Sequence, residues 1–396
     1  MNSGWEEMKF GEIFIFYNGK GIKPGGIGQY PVFGSNGIIG GSKDFKHENA
    51  IIIGRVGAYC GSVIYYKDKL WASDNTIVVK PINQNFNVRF LFYLLKKMKL
   101  NNYAGGAAQP LITQTVLKKI PVRIPLLSTQ KKIARVLSAY DDLIENNTRR
   151  IAILEEMAQR IYKEWFVDFK YPGHENDKLV DSELGMIPEG WESVSFDKLI
   201  SFSIGGDWGK EEPDEVYNQP VVVIRGTDLK DVKKGSLVRS PIRFIKDSSL
   251  KSRQLQVGDI VVENSVNANS RCVGSTLIIT NEILNRLGNN AICASFCKIY
   301  RPKDKMLSPV IHLHMKHLIN TNRMNFYNNI AANGIGNFQS KRFLKIETLV
   351  IPKDKEWLLT LMQNLAALTT TINAGKISIL RQTRDHLLPK LISGQV

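Results

Sequence analysis

Acidic residues, cysteines and long apolar runs are all scarce in this chain, and each shortage removes a class of protein. Its 396 residues carry 53 Lys and Arg against 37 Asp and Glu, a formal net charge of +16. Such an excess attracts a polyanion, with nucleic acid the leading candidate and an anionic membrane the rival. No run of about 18 apolar residues is present to span a bilayer. The polar start Met1-Asn2-Ser3-Gly4-Trp5-Glu6-Glu7 is no signal peptide, and a soluble, cytoplasmic protein without membrane contact is expected. The four cysteines, Cys60, Cys272, Cys293 and Cys297, lack the regular spacing of a disulfide framework, so reduced thiols are expected. Cys293 and Cys297 fall in one apolar strand-like run, Ala291 to Cys297, whose even spacing puts both on one sheet face as small buried hydrophobes.

Catalytic signatures are missing too. An adenine methyltransferase would show an Asp/Asn-Pro-Pro-Tyr-type loop to clamp a flipped base, and the chain has no Pro-Pro pair. Gly25-Gly26-Ile27-Gly28 is followed by strand-like Pro31-Val32-Phe33 where a dinucleotide loop needs a helix, so it reads as a flexible turn. No Walker lysine pattern occurs. Pro213-Asp214 with Asp228-Leu229-Lys230 fits a loose nuclease pattern that lysine-rich chains produce easily, and the first half has no counterpart. His312, His314 and His317 share a predicted helix, but only His314 and His317 share a face, which reads as solvated or partly buried rather than metal-binding. The site expectations are therefore no catalytic residue, no metal and no cofactor in this chain.

What is present is a repeat. Gly4-Trp5-Glu6 and Gly190-Trp191-Glu192 each open a unit, with Phe10 or Phe196 soon after. Ala104-Gly105-Gly106 through Pro121-Val122-Arg123-Ile124-Pro125 lines up with Ala331-Ala332-Asn333 through Thr348-Leu349-Val350-Ile351-Pro352. Between these markers, short β-rich runs alternate with glycine turns: Pro31 to Gly34, Ile38 to Gly41, Ala50 to Gly54 and Ser62 to Tyr66 in the first unit, and Val221 to Ile224, Asp259 to Val262 and Thr276 to Ile279 in the second. Helical spacing marks Val88 to Lys99 and a helix near Pro309 to Asn320. Both heads are α+β with a curved sheet.

Each head leads into a long amphipathic segment. After Pro125, Ser128 or Thr129 is placed to cap a helix that no Gly or Pro interrupts until Pro172. Ile133, Leu137, Tyr140, Ile144, Ile151, Leu154, Ala158, Ile161 and Trp165 form a heptad seam, broken at the polar Asn147. Some 40 residues at 1.5 Å each make a rod on the order of 60 Å. The C-terminal segment offers a partner seam of Leu358, Met362, Leu365, Leu368, Ile372, Ile379 and Leu387, with Pro389 ending or kinking it. Two such stripes are expected to pack antiparallel, as coiled-coil-like helices. The expected division is a first head over 1–126, a helical region over 127–170, a second head with an entry linker over 171–353 and a second helical region over 354–396.

With these pieces in order the chain resembles the specificity subunits of type I restriction-modification systems over essentially its whole length. The resemblance is carried by Ile153-Leu154-Glu155-Glu156-Met157-Ala158-Gln159 running into Trp165-Phe166-Val167-Asp168-Phe169, by Asp181 through Gly190-Trp191, and by the ending Leu387-Leu388-Pro389-Lys390-Leu391-Ile392-Ser393-Gly394. Where the family often has Glu-Gln soon after the Pro that starts each helical region, this chain has Ser128-Thr129-Gln130 and Asp354-Lys355-Glu356-Trp357. The resemblance implies two target recognition domains, each reading half of a bipartite double-stranded DNA site, with helices that set the gap and dock two modification subunits. It implies that S-adenosylmethionine is bound by the modification subunit, and that ATP and Mg serve a separate restriction subunit. The rivals are a self-contained DNA methyltransferase or nuclease, and a coiled-coil scaffold that binds no DNA.

Arg pairs with guanine and Asn or Gln with adenine, while Lys and Arg hold phosphates. The DNA-binding candidates beside glycine turns are Lys20, Lys23, Ser35, Asn36, Arg55, Asn75 and Gln109 in the first head. The second head offers Arg225, Thr227, Asn264, Asn267, Arg271, Asn290 and Gln339. Lys96, Lys97, Lys99, Lys118, Lys119, Lys131, Lys132, Arg135, Lys233, Lys234, Arg239 and Arg243 are expected to supply much of the phosphate attraction. The heads differ more than their framing segments, so two unlike half-sites are expected.

Overall fold

The computed structural model describes residues 4–106, 109–233, 240–266, 273–288, 290–332, 334–354, 356–371 and 374–395, with side chains 368–375 outside the description. Candidates Asn267, Arg271, Lys234, Arg239 and Ile372, the Leu368 side chain and Cys272 thus lie outside the described residues. The chain divides into two compact units, Met1–Leu143 with Leu380–Val396, and Ile144–Ile379. Each unit takes in part of both helical segments.

In the first unit Trp5–Lys9 pairs antiparallel with Pro121–Pro125, closing the head at its base. A four-stranded antiparallel sheet has the order Phe14–Asn18, Thr76–Pro81, Ala50–Gly54, Val63–Tyr66. A three-stranded sheet has the order Gly37–Ser42, Tyr30–Gly34, Trp71–Ala72, its last pair parallel. The second unit repeats this plan. Trp191–Ser195 pairs with Thr348–Pro352; one sheet runs Ile200–Gly205, Cys297–Pro302, Ile260–Glu263, Thr276–Ile278; the other runs Ile242–Ile245, Gln219–Ile224, Ala291–Cys293, again with a parallel last pair. The helices Val88–Lys97 and Ser308–Asn320 occupy the same place in chain order. The two α+β heads are one topology used twice.

The correspondence extends to single backbone hydrogen bonds. Gly19 N–H donates to Thr76 O at 3.1 Å and Lys20 N–H to Ala72 O at 2.9 Å; Gly206 and Asp207 do the same to Cys297 O and Cys293 O, each at 3.0 Å. Arg55 N–H donates to Asn75 O at 2.9 Å, and Asn264 N–H to Phe296 O at 2.8 Å. Ile112 N–H reaches Arg55 O at 2.9 Å, and Phe338 N–H reaches Asn264 O at 2.7 Å. Glycine is required where these loops touch. A Cβ on Gly19 would lie 1.7 Å from Ser73 O, and one on Gly206 would lie 2.1 Å from Cys293 O.

One strand expectation fails here. The run Ala291 to Cys297 is not one strand: Ala291–Cys293 and Cys297–Pro302 belong to different sheets, joined by a turn that Cys297 N–H closes on Ala294 O at 2.8 Å. Both cysteines are buried, on two strands rather than one face, and burial pushes both thiols up, Cys293 to about 12.

The long helix spans Leu127–Tyr162, 36 residues, and ends in a π-helical turn over Lys163–Val167. Ser128 and Thr129 lie inside its first turn and do not cap it; Thr129 and Gln130 N–H groups both donate to Leu126 O, at 2.9 and 3.0 Å. Gln130 is buried beneath this turn, accepting from Asn87 N–H at 2.9 Å and donating to Pro125 O at 2.9 Å. The seam residues Ile133, Leu137, Ile144, Ile151, Ala158 and Trp165 are buried, with Tyr140, Leu154 and Ile161 half-buried.

The C-terminal segment forms Glu356–Thr371 and Ala374–Ser393. Leu358 and Met362 are buried, and Leu365 and Leu387 half-buried. Ile379 is 63% exposed, contrary to expectation, because the buried stripe of the second helix passes through Ile377, Leu388 and Ile392, positions that a heptad count from Leu365 does not reach. Pro389 sits inside this helix without ending it.

Within the first unit Ile133, Ala134 and Leu137 cluster with Leu388 and Ile392, while Asp141 meets Arg384, so the two helical stretches run antiparallel. Within the second unit Trp165 meets Trp357 with ring centroids 6.3 Å apart, and Ile151 faces the same cavity as Ala366 and Ala367, which is again antiparallel.

Each head is also fastened to its own stretch of the long helix by a buried polar link. In the first unit Tyr93 donates to Asp141 Oδ2 at 2.5 Å, and Arg384 donates to Asp141 Oδ1 at 2.6 Å. In the second, His314 Nδ1 lies 2.6 Å from the Tyr162 hydroxyl and Nε2 lies 2.9 Å from Glu347 Oε1, whose other oxygen accepts from Tyr327 at 2.6 Å. On the histidine helix His312 and His314 are buried and His317 is half-buried, with His312 Nδ1 2.6 Å from Thr276 Oγ1. Burial works against a charged Glu347, yet the His314 and Tyr327 hydrogen bonds and Arg323 outweigh it, and its carboxyl is held below the ordinary value. Burial, aided by Lys233 and Lys316, drives His312 well below its ordinary value of 6.5.

Two expectations follow from this packing. Gly19→Ala and Gly206→Ala each cost about 2 kcal/mol or more through overpacking, read as a lower denaturant midpoint. Gly205→Ala, where a Cβ meets nothing within 4 Å, serves as the near-neutral control. For His312 the sign is set by its depressed folded pKa: below about pH 6.5 the unfolded chain binds a proton that the folded chain refuses, so stability falls with pH at up to about 1.4 kcal/mol per unit. Urea titrations between pH 7 and 5 should show this slope, and it should be shallower in His312→Asn.

Candidate nucleic-acid interface

The backbone bonds shared by the heads gather one set of turns at a single edge of each. In the first unit the strand ends at Gly34 and Gly54, the turn at Asp74-Asn75 and the loop starting at Gly19 meet there. Ser35 Oγ donates to Asn75 O at 2.7 Å, and the same oxygen accepts from Arg55 N–H. Lys20, Ser35, Asn36, Arg55 and Asn75 are thereby brought together. The Gln109 loop joins them, since Gly57 N–H donates to Pro110 O at 3.1 Å. Lys23 stands apart, on the glycine-rich segment that lies along Gly37–Ser42, where Gly41 N–H donates to Gly26 O at 2.6 Å. That packed segment precedes a strand, with no helix start to hold a nucleotide. Arg55 and Lys20 form no ion pair with any described residue, and Tyr59 projects from the turn after Arg55.

The second unit presents the same edge with different chemistry. Asp207 stands where the first unit has Lys20, and its carboxylate is turned inward to Ser249 Oγ at 2.5 Å and Gly209 N–H at 3.1 Å. Burial opposes its charge, but these hydrogen bonds and Arg253 hold the Asp207 carboxyl below its ordinary value. Arg225 is engaged by Asp228, with Nε 2.9 Å from Oδ2 and Nη2 2.8 Å from Oδ1, and this bond raises the guanidinium's affinity for its proton. Thr227 is exposed beside it. Asn264 and Gln339 join the edge through Phe338, whose N–H meets Asn264 O; Gln339 also precedes the helix Ser340–Ile346 and accepts from Arg342 at 3.2 Å. Asn264 Oδ1 is buried and has no donor among the described residues. Asn290 lies elsewhere: it precedes Ala291–Cys293, at the end of that strand away from Arg225.

Reading the residues in order missed Phe296. It occupies the place of Asn75 and is 69% exposed. The local signal is Ala294-Ser295 before it, two small residues that let the chain turn between apolar strands.

Two cations expected on phosphates, Lys233 and Arg243, are engaged within the fold. Lys233 and Lys316 share Glu155 at 3.0 and 3.4 Å along a cavity of about 740 Å³ in the second unit, and Arg243 lies over the Trp208 ring at 4.7 Å while pairing with Glu211 at 2.5 Å. The carboxylates of the loose nuclease pattern are likewise engaged separately, Asp214 with Lys210 at 2.6 Å and Asp228 with Arg225. Among the described residues no cluster of three His, Cys, Asp or Glu side chains could hold a metal, and no helix is long and apolar enough to cross a membrane.

Residues 2–156 match the family described as type I restriction modification DNA specificity domain. The chain is 31% identical over 175 residues to the type I restriction enzyme MjaIX specificity subunit of Methanocaldococcus jannaschii, a match covering 42% of this chain and 39% of that one. It is 35% identical over 120 residues to the EcoprrI specificity subunit of Escherichia coli, covering 30% of each. These matches span only about a third of the length of those relatives. A match to the HindI specificity subunit of Haemophilus influenzae is 24% identical over 382 residues and covers 83% of this chain and 82% of that one. The fold is that of the crystal structure of a type I restriction-modification S subunit from M. genitalium, with a TM-score of 0.58 and 15% identity over 99% of this chain and 97% of the other. The first head and the start of the long helix are thus similar to a type I restriction modification DNA specificity domain, the named relatives are specificity subunits, and the whole-chain fold is that of one such subunit.

Proposed function

We propose that this chain is the DNA-reading subunit of a type I restriction-modification complex, recognising a bipartite, asymmetric double-stranded site with one head per half. The observation that carries this reading is the edge present in both units: its backbone bonds are the same, while Lys20, Arg55 and Asn75 in one head answer to Asp207, Asn264 and Phe296 in the other. A constant frame with unlike side chains suits two readers of two different sequences. The chain's net charge of +16 supplies sequence-independent attraction to the phosphates.

In this reading, segments 1–126 and 171–353 are the target recognition domains, and 127–170 with 354–396 are the spacer. The links from Tyr93 to Asp141 and from His314 to Tyr162 tie each head to its own stretch of helix, so that a change of helix length is passed on to the reader without slippage. The helices also dock two modification subunits, which bind S-adenosylmethionine and methylate adenine. Restriction subunits using ATP and Mg complete the assembly in the cytoplasm. The chain contributes binding and geometry, and no catalytic residue.

Methylation-motif sequencing of a host carrying this chain with its modification subunit is expected to return a gapped motif with unequal halves. A single contiguous palindrome would overturn the reading. Methyl transfer or DNA cleavage by the isolated chain would favour a self-contained enzyme, and loss of all sequence-dependent DNA retention would favour a scaffold. Inserting or deleting one heptad between Glu145 and Arg160 is expected to change the gap or abolish methylation, with both half-site sequences unaltered. An active variant with the original gap would remove the ruler role.

A further inference from the structure

We infer that Phe296 makes an apolar contact with the C5-methyl group of a thymine in the major groove of the second half-site. The inference rests on the DNA-reading function proposed above, and adds the base class that the second head selects. Phe296 sits at the crest of the turn between Ala291–Cys293 and Cys297–Pro302, in the place that the other head gives to Asn75. Its backbone is fixed: Phe296 O accepts from Asn264 N–H at 2.8 Å and from Ser265 N–H at 3.2 Å. A ring on a backbone held this firmly, the residue being 69% exposed, gains by covering an apolar group.

In the major groove the thymine methyl is the apolar group that distinguishes an A·T pair, and Phe is among the side chains that contact it. The neighbours favour the same base pair. Asn264, whose N–H donates to Phe296 O, is the residue type that reads adenine. Arg225, the side chain on this edge suited to guanine, has its fork on Asp228. In the first head Arg55 occupies the Asn264 position without an ion pair among the described residues, so the two edges differ most where guanine reading would be replaced by A·T reading.

The test uses the full chain assembled with its modification subunits and the gapped motif defined by methylation sequencing. Each thymine of the second half-site is replaced singly by deoxyuridine, which removes only the methyl, and affinity is measured by competition. One position is expected to weaken binding about four- to tenfold. In Phe296→Ala that position becomes indifferent to the methyl and degenerate in the motif, while Phe296→Leu retains part of the discrimination. The inference is overturned if no thymine of a well-defined second half-site responds, if that half-site has no thymine, or if Phe296→Ala keeps the full deoxyuridine penalty. Absence of any gapped motif would overturn the functional reading itself, and this inference with it. The deoxyuridine series needs no variant, so it decides the matter even where a substitution lowers folding yield.

Discussion

Everything specific about the two heads depends on hydrogen bonds that no side chain makes. The carbonyl of one turn residue, Asn75 or Phe296, accepts from the backbone of the residue that follows a neighbouring strand, Arg55 or Asn264, and that residue's own carbonyl accepts from Ile112 or Phe338. Because the donors and acceptors are main-chain groups, any residue with acceptable φ and ψ can occupy these positions without loss of the frame. The exceptions are Gly19 and Gly206, where backbone meets backbone too closely for a Cβ. The side chains of Arg55, Asn75 and Phe296 are thereby released from holding this frame, which is the condition a recognition surface needs if it is to change its target without unfolding.

The fastening of each head to the long helix follows the opposite rule. There the frame is built from side chains: Tyr93, Asp141 and Arg384 in the first unit, Tyr162, His314, Glu347 and Tyr327 in the second. These groups are different in kind, yet each puts a polar bond inside an apolar contact, where misalignment by a helical turn would leave a buried group unpaired. An unpaired buried polar group costs about 1–3 kcal/mol, whereas apolar residues alone tolerate sliding. The polar links therefore set register, while the surrounding Ile, Leu and Trp residues supply most of the cohesion.

The parts legible in the sequence were those set by local pattern. Glycine-bounded β runs such as Ala50 to Gly54 became strands because their flanking turns have little choice, and the Ile133 to Trp165 seam is buried because one helix carries it in a single phase. What escaped depended on chain direction over longer distances. Ile379 was misplaced because a heptad count was carried past Thr371, after which the buried phase moves to Ile377. The depth of His314, on a face read as solvated or partly buried, was hidden because its partners, Tyr162 and Glu347, are 152 residues before it and 33 after it. A local contact escaped as well: the fork of the DNA-binding candidate Arg225 lies on Asp228, three residues on.

Phe296 shows the same limit at the site itself. In sequence it is one more apolar residue between two buried cysteines, and an alternating pattern hides it. The structure breaks that run into two strands belonging to different sheets, which leaves Cys293 and Cys297 inside and turns the ring outward. An apolar residue on the surface is by itself unremarked in any protein. This one stands where the other head carries an amide, on a frame that holds the two positions to the same backbone bonds. That substitution of a ring for an amide changes the chemistry the edge presents while leaving the backbone bonds that hold the edge in place.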